Sequence, residues 1–214
     1  MHIAFFDLDG TITRHDTLVP LVLRKLLQRP WQLPRLLLVI PATVRYLFDR
    51  DRGLLKQALL RATMRGTARA EVQALATAFV RDKIARGCFH DALAAIRRHR
   101  AAGHYLVLMS ASVDFYVPEF GRQLGFDQVI STEVRWQDEY LDGTLVSANR
   151  RGEEKARCVL ALIAERDATE TFAYGNSASD LPHLKLVKRG LLVNGSQAAR
   201  RAAAEGGVAC VDWT

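Results

Sequence analysis

The chain is poor in cysteine, with three among its 214 residues: Cys88, Cys158 and Cys210. Their number is odd, they lie far apart, and no Cys-x-x-Cys pair occurs, which argues against both a disulfide framework and a zinc site. The six histidines are scattered without the spacing of metal ligands. Sparse, unpaired cysteine is typical of a reducing compartment, so we expect a cytoplasmic protein.

The chain also lacks a long uninterrupted apolar run. The most apolar stretch, residues 33–48 ("LPRLLLVIPATVRYLF"), is broken by Arg35, Pro41 and Arg45. A membrane-spanning helix needs about 20 apolar residues, so a simple span is not expected. The N-terminus has no basic region before its apolar residues, and we expect no signal peptide. Two interpretations of 33–48 remain: a buried helix, or a helix lying on the inner face of an anionic membrane with Trp31 and Tyr46 among the headgroups.

Acidic residues are outnumbered: 30 Lys and Arg stand against 23 Asp and Glu, giving a formal net charge of +7. A basic balance points to anionic partners, such as nucleic acid, phosphorylated substrates or an acidic membrane. No surface with interleaved basic and aromatic residues is apparent, so a nucleic-acid partner is not expected. Because 49% of the residues are hydrophobic and no segment is low in complexity, the chain should form a sizeable core.

Apolar runs and helical periodicity alternate along most of the chain. Residues 16–100 have apolar side chains at helical spacing, whereas residues 132–145 are typical of a β-hairpin. Short apolar runs typical of buried parallel strands occur at 2–6, 104–110, 127–131, 169–175, 189–194 and 207–213. This order predicts an α/β fold, a Rossmann-like parallel sheet with helices inserted after its first strand. Ligands of such sheets bind at the carboxyl ends of the strands.

Two carboxylates, Asp7 and Asp9, end the first predicted strand in the sequence "DLDGT". Residues two apart in a strand share a face, and Gly10 allows a sharp turn after them. Two carboxylates held together at a buried edge are unfavourable unless a cation or a shared proton relieves them. Mg²⁺, which prefers oxygen ligands, would serve. The alternative, that the pair only caps the next segment, is disfavoured by the apolar strand before it.

Four further side chains lie at other predicted strand or helix ends. Ser110 ends the second strand, where a hydroxyl beside a helix N-terminus would suit a phosphate, although Ser112 is the better candidate for a plain helix cap. Lys155 begins a helix, against the helix dipole, so a bound anion or an acidic partner is expected to hold it; taken alone, the segment would favour a solvated surface lysine. Asn176 and Asp180 occupy the turn "GNSASD". Asn176 is either a metal donor or a plain turn residue, and Asp180 is either a carboxylate outside the metal ligands or the cap of the next helix.

In this order the motifs resemble those of the haloacid dehalogenase superfamily, over the whole chain. "DLDGT" matches the nucleophile motif, and Ser110, Lys155 and "GNSASD" match the second, third and fourth motifs. The helical insertion resembles the cap of subfamily IB, which includes phosphoserine phosphatase. The resemblance implies a core of residues 1–15 and 88–214 and a cap of residues 16–87.

The resemblance also implies roles. Asp7 would be the nucleophile that forms an aspartyl-phosphate, and Asp9 the acid and then the base. Ser110 and Lys155 would bind the phosphoryl oxygens. Mg²⁺ would be held by the Asp7 carboxylate, the Asp9 backbone carbonyl and the Asn176 side chain. Asp180 would steady Lys155 or a metal-bound water. An Asp at position 9 is typical of the phosphatases in this superfamily.

The chain departs from the family pattern at Asn176, where Asp is usual. An amide oxygen still ligates Mg²⁺, but the lost charge should weaken the metal site. The segment 33–48 is similar to the cap of a branch that includes phosphatidylglycerophosphatase C, which implies a lipid phosphate substrate. One alternative is a soluble substrate such as phosphoserine, whose amine Asp16 could contact, although capping of the first cap helix is the favoured role for Asp16. Another is a phosphate-binding protein without turnover.

Overall fold

The computed structural model describes residues 1–49 and 51–214. Six parallel strands form one sheet in the order β3-β2-β1-β6-β7-β8, and β4 and β5 form a separate antiparallel pair. The strands are β1 (His2–Asp7), β2 (Tyr105–Val113), β3 (Gln128–Thr132), β4 (Val134–Gln137), β5 (Tyr140–Leu145), β6 (Glu170–Gly175), β7 (Arg189–Val193) and β8 (Ala209–Val211). The predicted α/β fold with a parallel sheet is confirmed, as is the hairpin.

Helices cover both faces of the sheet and fill the segment after β1. They are α1 (Leu18–Gln28), α2 (Ile40–Asp49), α3 (Arg52–Thr63), α4 (Arg69–Arg86), α5 (His90–Ala101), α6 (Val117–Leu124), α7 (Glu153–Glu165), α8 (Leu181–Leu184) and α9 (Gln197–Glu205), with 3₁₀ helices at Pro30–Val39 and Ala178–Asp180. Helices α1 to α4 lie within the segment 16–87 that the sequence predicts to be the cap.

The central strand β1 is buried on both faces, which explains its continuous apolar run. Ile3 and Phe5 pack into the core on one side of the sheet, and Ala4 and Phe6 pack into the core on the other. On its two edges β1 pairs in parallel with β2 and with β6. The chain therefore runs outward from β1 to β3 and then returns to β6 on the other side, so a topological switch point lies between β1 and β6.

The apolar stretch between α1 and α3 is exposed. No side chain of the 3₁₀ helix Pro30–Val39 or of α2 is buried, and Trp31, Leu38 and Phe48 are 72%, 69% and 85% exposed. The interpretation of 33–48 as a buried helix is therefore wrong: α1, α3 and α4 supply buried residues of the cap interior, and Leu36 of this segment packs against them while only partly buried. Within residues 1–49 and 51–214, no helix has both the length and the hydropathy that a bilayer span requires.

Candidate active site

A tight turn places the two predicted catalytic carboxylates at the carboxyl end of β1. Asp7 is the last residue of the strand, and the carbonyl of Leu8 then accepts hydrogen bonds from the backbone N–H groups of three residues of the following turn. Gly10 has φ of +82°, and a Cβ there would lie 2.0 Å from Nδ2 of Asn176. The glycine is thus required both by the backbone conformation and by the approach of Asn176.

Lys155 bridges two carboxylates beneath this turn. Its Nζ lies 2.6 Å from Oδ1 of Asp7 and 2.8 Å from Oδ1 of Asp180, and all three side chains are buried. The acidic partner that the sequence predicts for Lys155 therefore exists, and there are two of them. The second oxygen of Asp7 accepts a hydrogen bond of 3.1 Å from the Thr11 hydroxyl.

The pKa values in this cluster reflect two carboxylates that share one ammonium. Burial raises the pKa of Asp7 to about 7, against the opposing field of Lys155. Burial would lower the pKa of Lys155, but Asp7 and Asp180 together raise it above its ordinary value. Burial also works against ionised Asp180, yet Lys155 holds its pKa below the usual range. The two carboxylates share the single positive charge of Lys155, so one negative charge, that of Asp7, has no counterion of its own.

Asp9 is held by groups from the cap and from β2. Its Oδ1 accepts from the Thr17 backbone N–H at 2.8 Å and hydroxyl at 2.6 Å, and its Oδ2 accepts from the Ser112 hydroxyl at 2.7 Å. Burial and the nearby Asp16 raise the pKa of Asp9, while the hydrogen bonds from Thr17 and Ser112 lower it. The carboxyl is therefore positioned next to Asp7 in an environment that favours its protonated form.

Ser110 is placed differently from the prediction. Strand β2 continues to Val113, with a register shift against β3, and α6 begins only at Val117. Ser110 thus lies inside a strand rather than at a helix N-terminus, and Ser112 is not a helix cap. Ser110 is fully buried, and its Oγ lies 3.4 Å from Oδ2 of Asp9, whereas Ser112 lines the cavity described below.

Asp180 holds the turn that carries Asn176. Its Oδ2 accepts hydrogen bonds from the backbone N–H of Asn176 at 3.3 Å and of Ser177 at 3.0 Å, and from the Ser177 hydroxyl at 2.7 Å. Asp180 is also the N-cap residue of α8, as the alternative from the sequence has it, but its side chain makes no capping hydrogen bond to that helix. Asp180 instead connects Lys155 to the Asn176 turn.

These residues surround one cavity of about 430 Å³, a size that suits a small ligand. Asp7, Asp9, Lys155, Asn176 and Asp180 all line it. The other lining residues are Gly10, Arg14, His15, Asp16, Leu18, Arg52, Lys56, Ala111, Ser112, Asn149, Arg150, Arg151, Ser177 and Ser179. The structure thus brings five of the six predicted site residues to a common surface, with Ser110 directly behind it.

Lys56 is a cavity residue that the sequence did not reveal. Its Nζ reaches from α3 to Oδ1 of Asn149 at 2.7 Å and to the backbone carbonyl of Ala111, so it ties the cap to the core. Burial lowers the pKa of Lys56 to about 8, while Asp9 and Asp16 oppose the shift. In the sequence Lys56 is one polar residue of a predicted helix, and only the contacts of its Nζ with Asn149 and with the Ala111 carbonyl of β2 distinguish it.

Asp16 caps the first cap helix. Its Oδ1 accepts from the backbone N–H groups of Leu18 at 3.0 Å and Val19 at 3.2 Å. This is the role that the sequence favours over contact with a substrate amine. The same residue lines the cavity, so it contributes to the negative field around Asp9.

The predicted Mg²⁺ ligands fit the ion chemically. Residues 1–49 and 51–214 contain no cluster of three His, Cys, Asp or Glu side chains that could hold a metal. The predicted set is of a different kind, with one carboxylate (Asp7), one backbone carbonyl (Asp9) and one amide (Asn176). All three donors are oxygens, as Mg²⁺ prefers, and the uncompensated charge on Asp7 calls for a cation.

The chain has clear relatives among known proteins. It is 35% identical over 182 residues to the protein CicA of Caulobacter vibrioides, covering 85% of this chain and 81% of that protein. A protein of unknown function from Bordetella pertussis has a similar structure, with a TM-score of 0.79, 24% identity and coverage of 99% and 98% of the two chains. A phospho-aspartyl intermediate analogue of phosphoserine phosphatase is also similar, with a TM-score of 0.65, 14% identity and coverage of 98% and 92%.

A family model describes the same relationship. The model of haloacid dehalogenase-like hydrolases matches residues 4–185, a segment that includes every predicted site residue from Asp7 to Asp180. Together with the identity to CicA, this match assigns the family directly. The chain belongs to the haloacid dehalogenase-like hydrolase family.

Proposed function

We propose that the chain is a Mg²⁺-dependent phosphomonoester hydrolase that acts through an aspartyl-phosphate. The observation that carries the proposal is the buried Asp7–Lys155–Asp180 cluster beside Asp9, in a cavity at the carboxyl ends of β1 and β6. The fold that the chain shares with phosphoserine phosphatase supports it.

In the first half of the proposed reaction, a carboxylate oxygen of Asp7 forms a bond to phosphorus as the bond to the ester oxygen breaks. Asp9 gives its proton to the leaving oxygen. In the second half, Asp9 takes a proton from a water molecule whose oxygen attacks phosphorus, which releases phosphate and restores Asp7. Ser110 and Lys155 hold the phosphoryl oxygens, and Lys155 offsets their charge in the transition state.

The proposed Mg²⁺ site consists of the Asp7 carboxylate, the Asp9 backbone carbonyl and the Asn176 amide oxygen. When bound, the ion supplies positive charge beside the transferring phosphoryl group. Gly10 leaves the space in which Asn176 reaches this position, since a Cβ at residue 10 would collide with the Asn176 side chain.

Replacing Asn176 with Asp is expected to tighten Mg²⁺ binding about 10-fold, because ligand charge sets the affinity of such sites. The measurement is the Mg²⁺ concentration that gives half of the maximal thermal stabilisation, with the Mg²⁺ dependence of turnover beside it. Asn149→Asp is the matched control, since it adds the same charge to the same cavity outside the ligand set. An unchanged midpoint in Asn176→Asp would mean that Asn176 is not a ligand.

The basic test of the proposal is hydrolysis of p-nitrophenyl phosphate over a range of Mg²⁺ concentrations. Turnover that needs Mg²⁺ supports a phosphatase. If no turnover is found at any Mg²⁺ concentration, the alternative interpretation is favoured: with the neutral Asn176, the chain would be a phosphate-binding protein without turnover. Asp9 argues against that reading, because a binding protein has no use for an acid in this position.

For the substrate we propose a lipid phosphate such as phosphatidylglycerophosphate, reached by peripheral association with the inner face of an anionic membrane. The observation that favours it is the exposed apolar surface of residues 30–49, from which Leu37, Leu38, Leu47 and Phe48 project. Clustered exposed apolar side chains of this kind are typical of a protein or membrane interaction site. The exposed Arg35 and the net charge of +7 complement anionic headgroups.

Replacing Leu38 and Phe48 together with Glu is expected to lower binding to phosphatidylglycerol-containing vesicles about 10-fold or more, because two inserted side chains are lost and charge is added. Co-sedimentation at low salt measures the bound fraction. The matched control is Leu160→Glu with Leu186→Glu, two exposed apolar residues outside this surface. Equal loss in both double variants, or no binding by the wild type, would contradict membrane association through 30–49.

The second candidate is a soluble substrate such as phosphoserine. It is favoured by the structural likeness to phosphoserine phosphatase, which at 14% identity concerns the fold. A panel containing phosphatidylglycerophosphate and phosphoserine, with and without vesicles, separates the two. Preference for phosphoserine irrespective of vesicles would favour the soluble substrate.

A further inference from the structure

A second cavity lies at the boundary between the predicted cap and core. Its volume is about 700 Å³, which exceeds the cavity of about 430 Å³ at Asp7 and falls within the range of small-molecule sites. Its lining comes from the cap helix α4, from α6, from the residues that follow β2 and from Trp136 of β4. The proposed reaction uses none of these lining residues, so it leaves this cavity without a role.

Much of the surface of this cavity is apolar or aromatic. Val72 and Ala76 of α4 line it and are otherwise buried. Phe115 and Trp136 contribute two half-buried aromatic side chains, and Pro118 adds an aliphatic ring. Such a surface suits the apolar body of a small ligand, since the ligand displaces water from apolar side chains.

Four charged side chains also line the cavity, and three of them have partners of opposite charge. Glu119 and Arg122 form an ion pair at 2.6 Å, and Nε of Arg69 lies 3.4 Å from Oε2 of Glu139. The fourth, Asp114, forms no ion pair anywhere in the part of the chain that the structure describes. The cavity therefore carries one negative charge that the protein does not pair.

Asp114 offers a free carboxylate oxygen at a half-buried position. Its Oδ1 accepts a hydrogen bond of 3.2 Å from the backbone N–H of Val134, whereas its Oδ2 accepts none from residues 1–49 and 51–214. Burial raises the pKa of Asp114 to about 6, and the hydrogen bond from Val134 offsets this only in part. A carboxylate in this environment is stabilised by a cation beside its unpaired oxygen.

We propose that this cavity is a second binding site, which takes a small organic cation with an ammonium or guanidinium group on an apolar or aromatic body. The cation pairs with Oδ2 of Asp114, and the body packs against Phe115 and Trp136. Because α4 belongs to the predicted cap and α6 to the core, the ligand contacts both parts of the chain. The proposal concerns binding alone and does not depend on the phosphatase function.

The test compares ligands that differ only in the positive charge. Benzylamine is paired with benzyl alcohol, and tryptamine with the neutral alcohol tryptophol. Saturation-transfer difference NMR measures the Kd of each compound for the full chain. In the wild type, at least one amine is expected to bind about 10-fold more tightly than its alcohol, because only the amine forms a charge-assisted hydrogen bond with the carboxylate.

Asp114→Asn should abolish this preference, through a Kd for the amine that rises about 10-fold while the Kd for the alcohol stays the same. The amide oxygen still accepts the hydrogen bond from Val134, so the local backbone is retained. The matched control is Asp127→Asn, because Asp127 also accepts from a backbone N–H, that of Leu106 at 2.7 Å, but lies outside the cavity. This control should keep the wild-type preference.

A second variant tests the aromatic wall. Trp136→Leu should weaken the binding of amine and alcohol alike, by about several-fold, because both lose contact with the indole ring. Trp31→Leu removes an exposed indole that does not line the cavity, and it should leave both Kd values unchanged.

Each outcome decides on the site. No binding by the wild type, or no preference for either amine, overturns it. A preference that persists in Asp114→Asn also overturns it, since the cation then binds elsewhere, as would unchanged binding in Trp136→Leu. Thermal unfolding shows whether each variant is folded, and if Asp114→Asn is not, the comparison of Trp136→Leu with Trp31→Leu decides alone. Because no turnover is measured, a failure of the phosphatase proposal leaves these outcomes unaffected.

Discussion

Replacing Asp7 with Asn is expected to reduce turnover of p-nitrophenyl phosphate about 10⁴-fold or more. The amide cannot attack phosphorus to give a stable acyl phosphate, and every later step of the proposed reaction depends on that intermediate. The change keeps the size of the side chain, and the amide oxygen can still accept a hydrogen bond from Lys155. The loss should therefore appear in kcat, with the fold retained.

The control for Asp7→Asn is Asp16→Asn, which removes a carboxylate from the same cavity but from a helix-capping residue. Turnover by this control should stay within several-fold of the wild type, since an amide oxygen also caps a helix. A second measurement is acid-quenched labelling with a radioactive phosphomonoester. The denatured wild type should retain label and Asp7→Asn should not; label on Asp7→Asn would show that another residue is the nucleophile.

Much of the fold and site could be predicted because parallel α/β topology determines where strand ends lie. The apolar run of β1 and the carboxylates that follow it predict that Asp7 ends a central strand, and the structure confirms it. Lys155 at a helix start predicts an acidic partner, because a cation is unfavourable there. The identity of the partners, Asp7 and Asp180, depends on the order of strands in the sheet, which periodicity does not specify.

Packing between elements explains what the sequence could not predict. An apolar face at helical spacing indicates that a helix covers something apolar. It does not indicate whether that face packs into the core, as in α4, or is largely exposed, as in residues 30–49. The sequence predicts that β2 ends at Ser110, because serine is common at helix N-termini. In the structure the pairing with β3 extends the strand to Val113.

The second large effect is expected for Lys155→Met, which should destabilise the protein by about 3–5 kcal/mol and also abolish turnover. Nζ of Lys155 is the shared partner of Asp7 and Asp180, so its removal leaves two buried carboxylates without a countercharge. Breaking a buried ion pair from one side costs this much because the remaining charge stays desolvated. Urea unfolding at equilibrium gives the free energy of unfolding, and the slope with denaturant checks that the transition is unchanged.

Two further variants decide whether the loss arises from the orphaned charges. Lys188→Met removes an ammonium that lies 2.8 Å from Glu170 at the surface, and it should leave the free energy of unfolding nearly unchanged because water screens that pair. Lys155→Met combined with Asp180→Asn should recover part of the stability, since only one orphaned carboxylate remains, but none of the turnover. If the double variant is as unstable as the sum of the single ones, the lost stability comes from packing of the lysine stem, and the charge argument for this cluster does not hold.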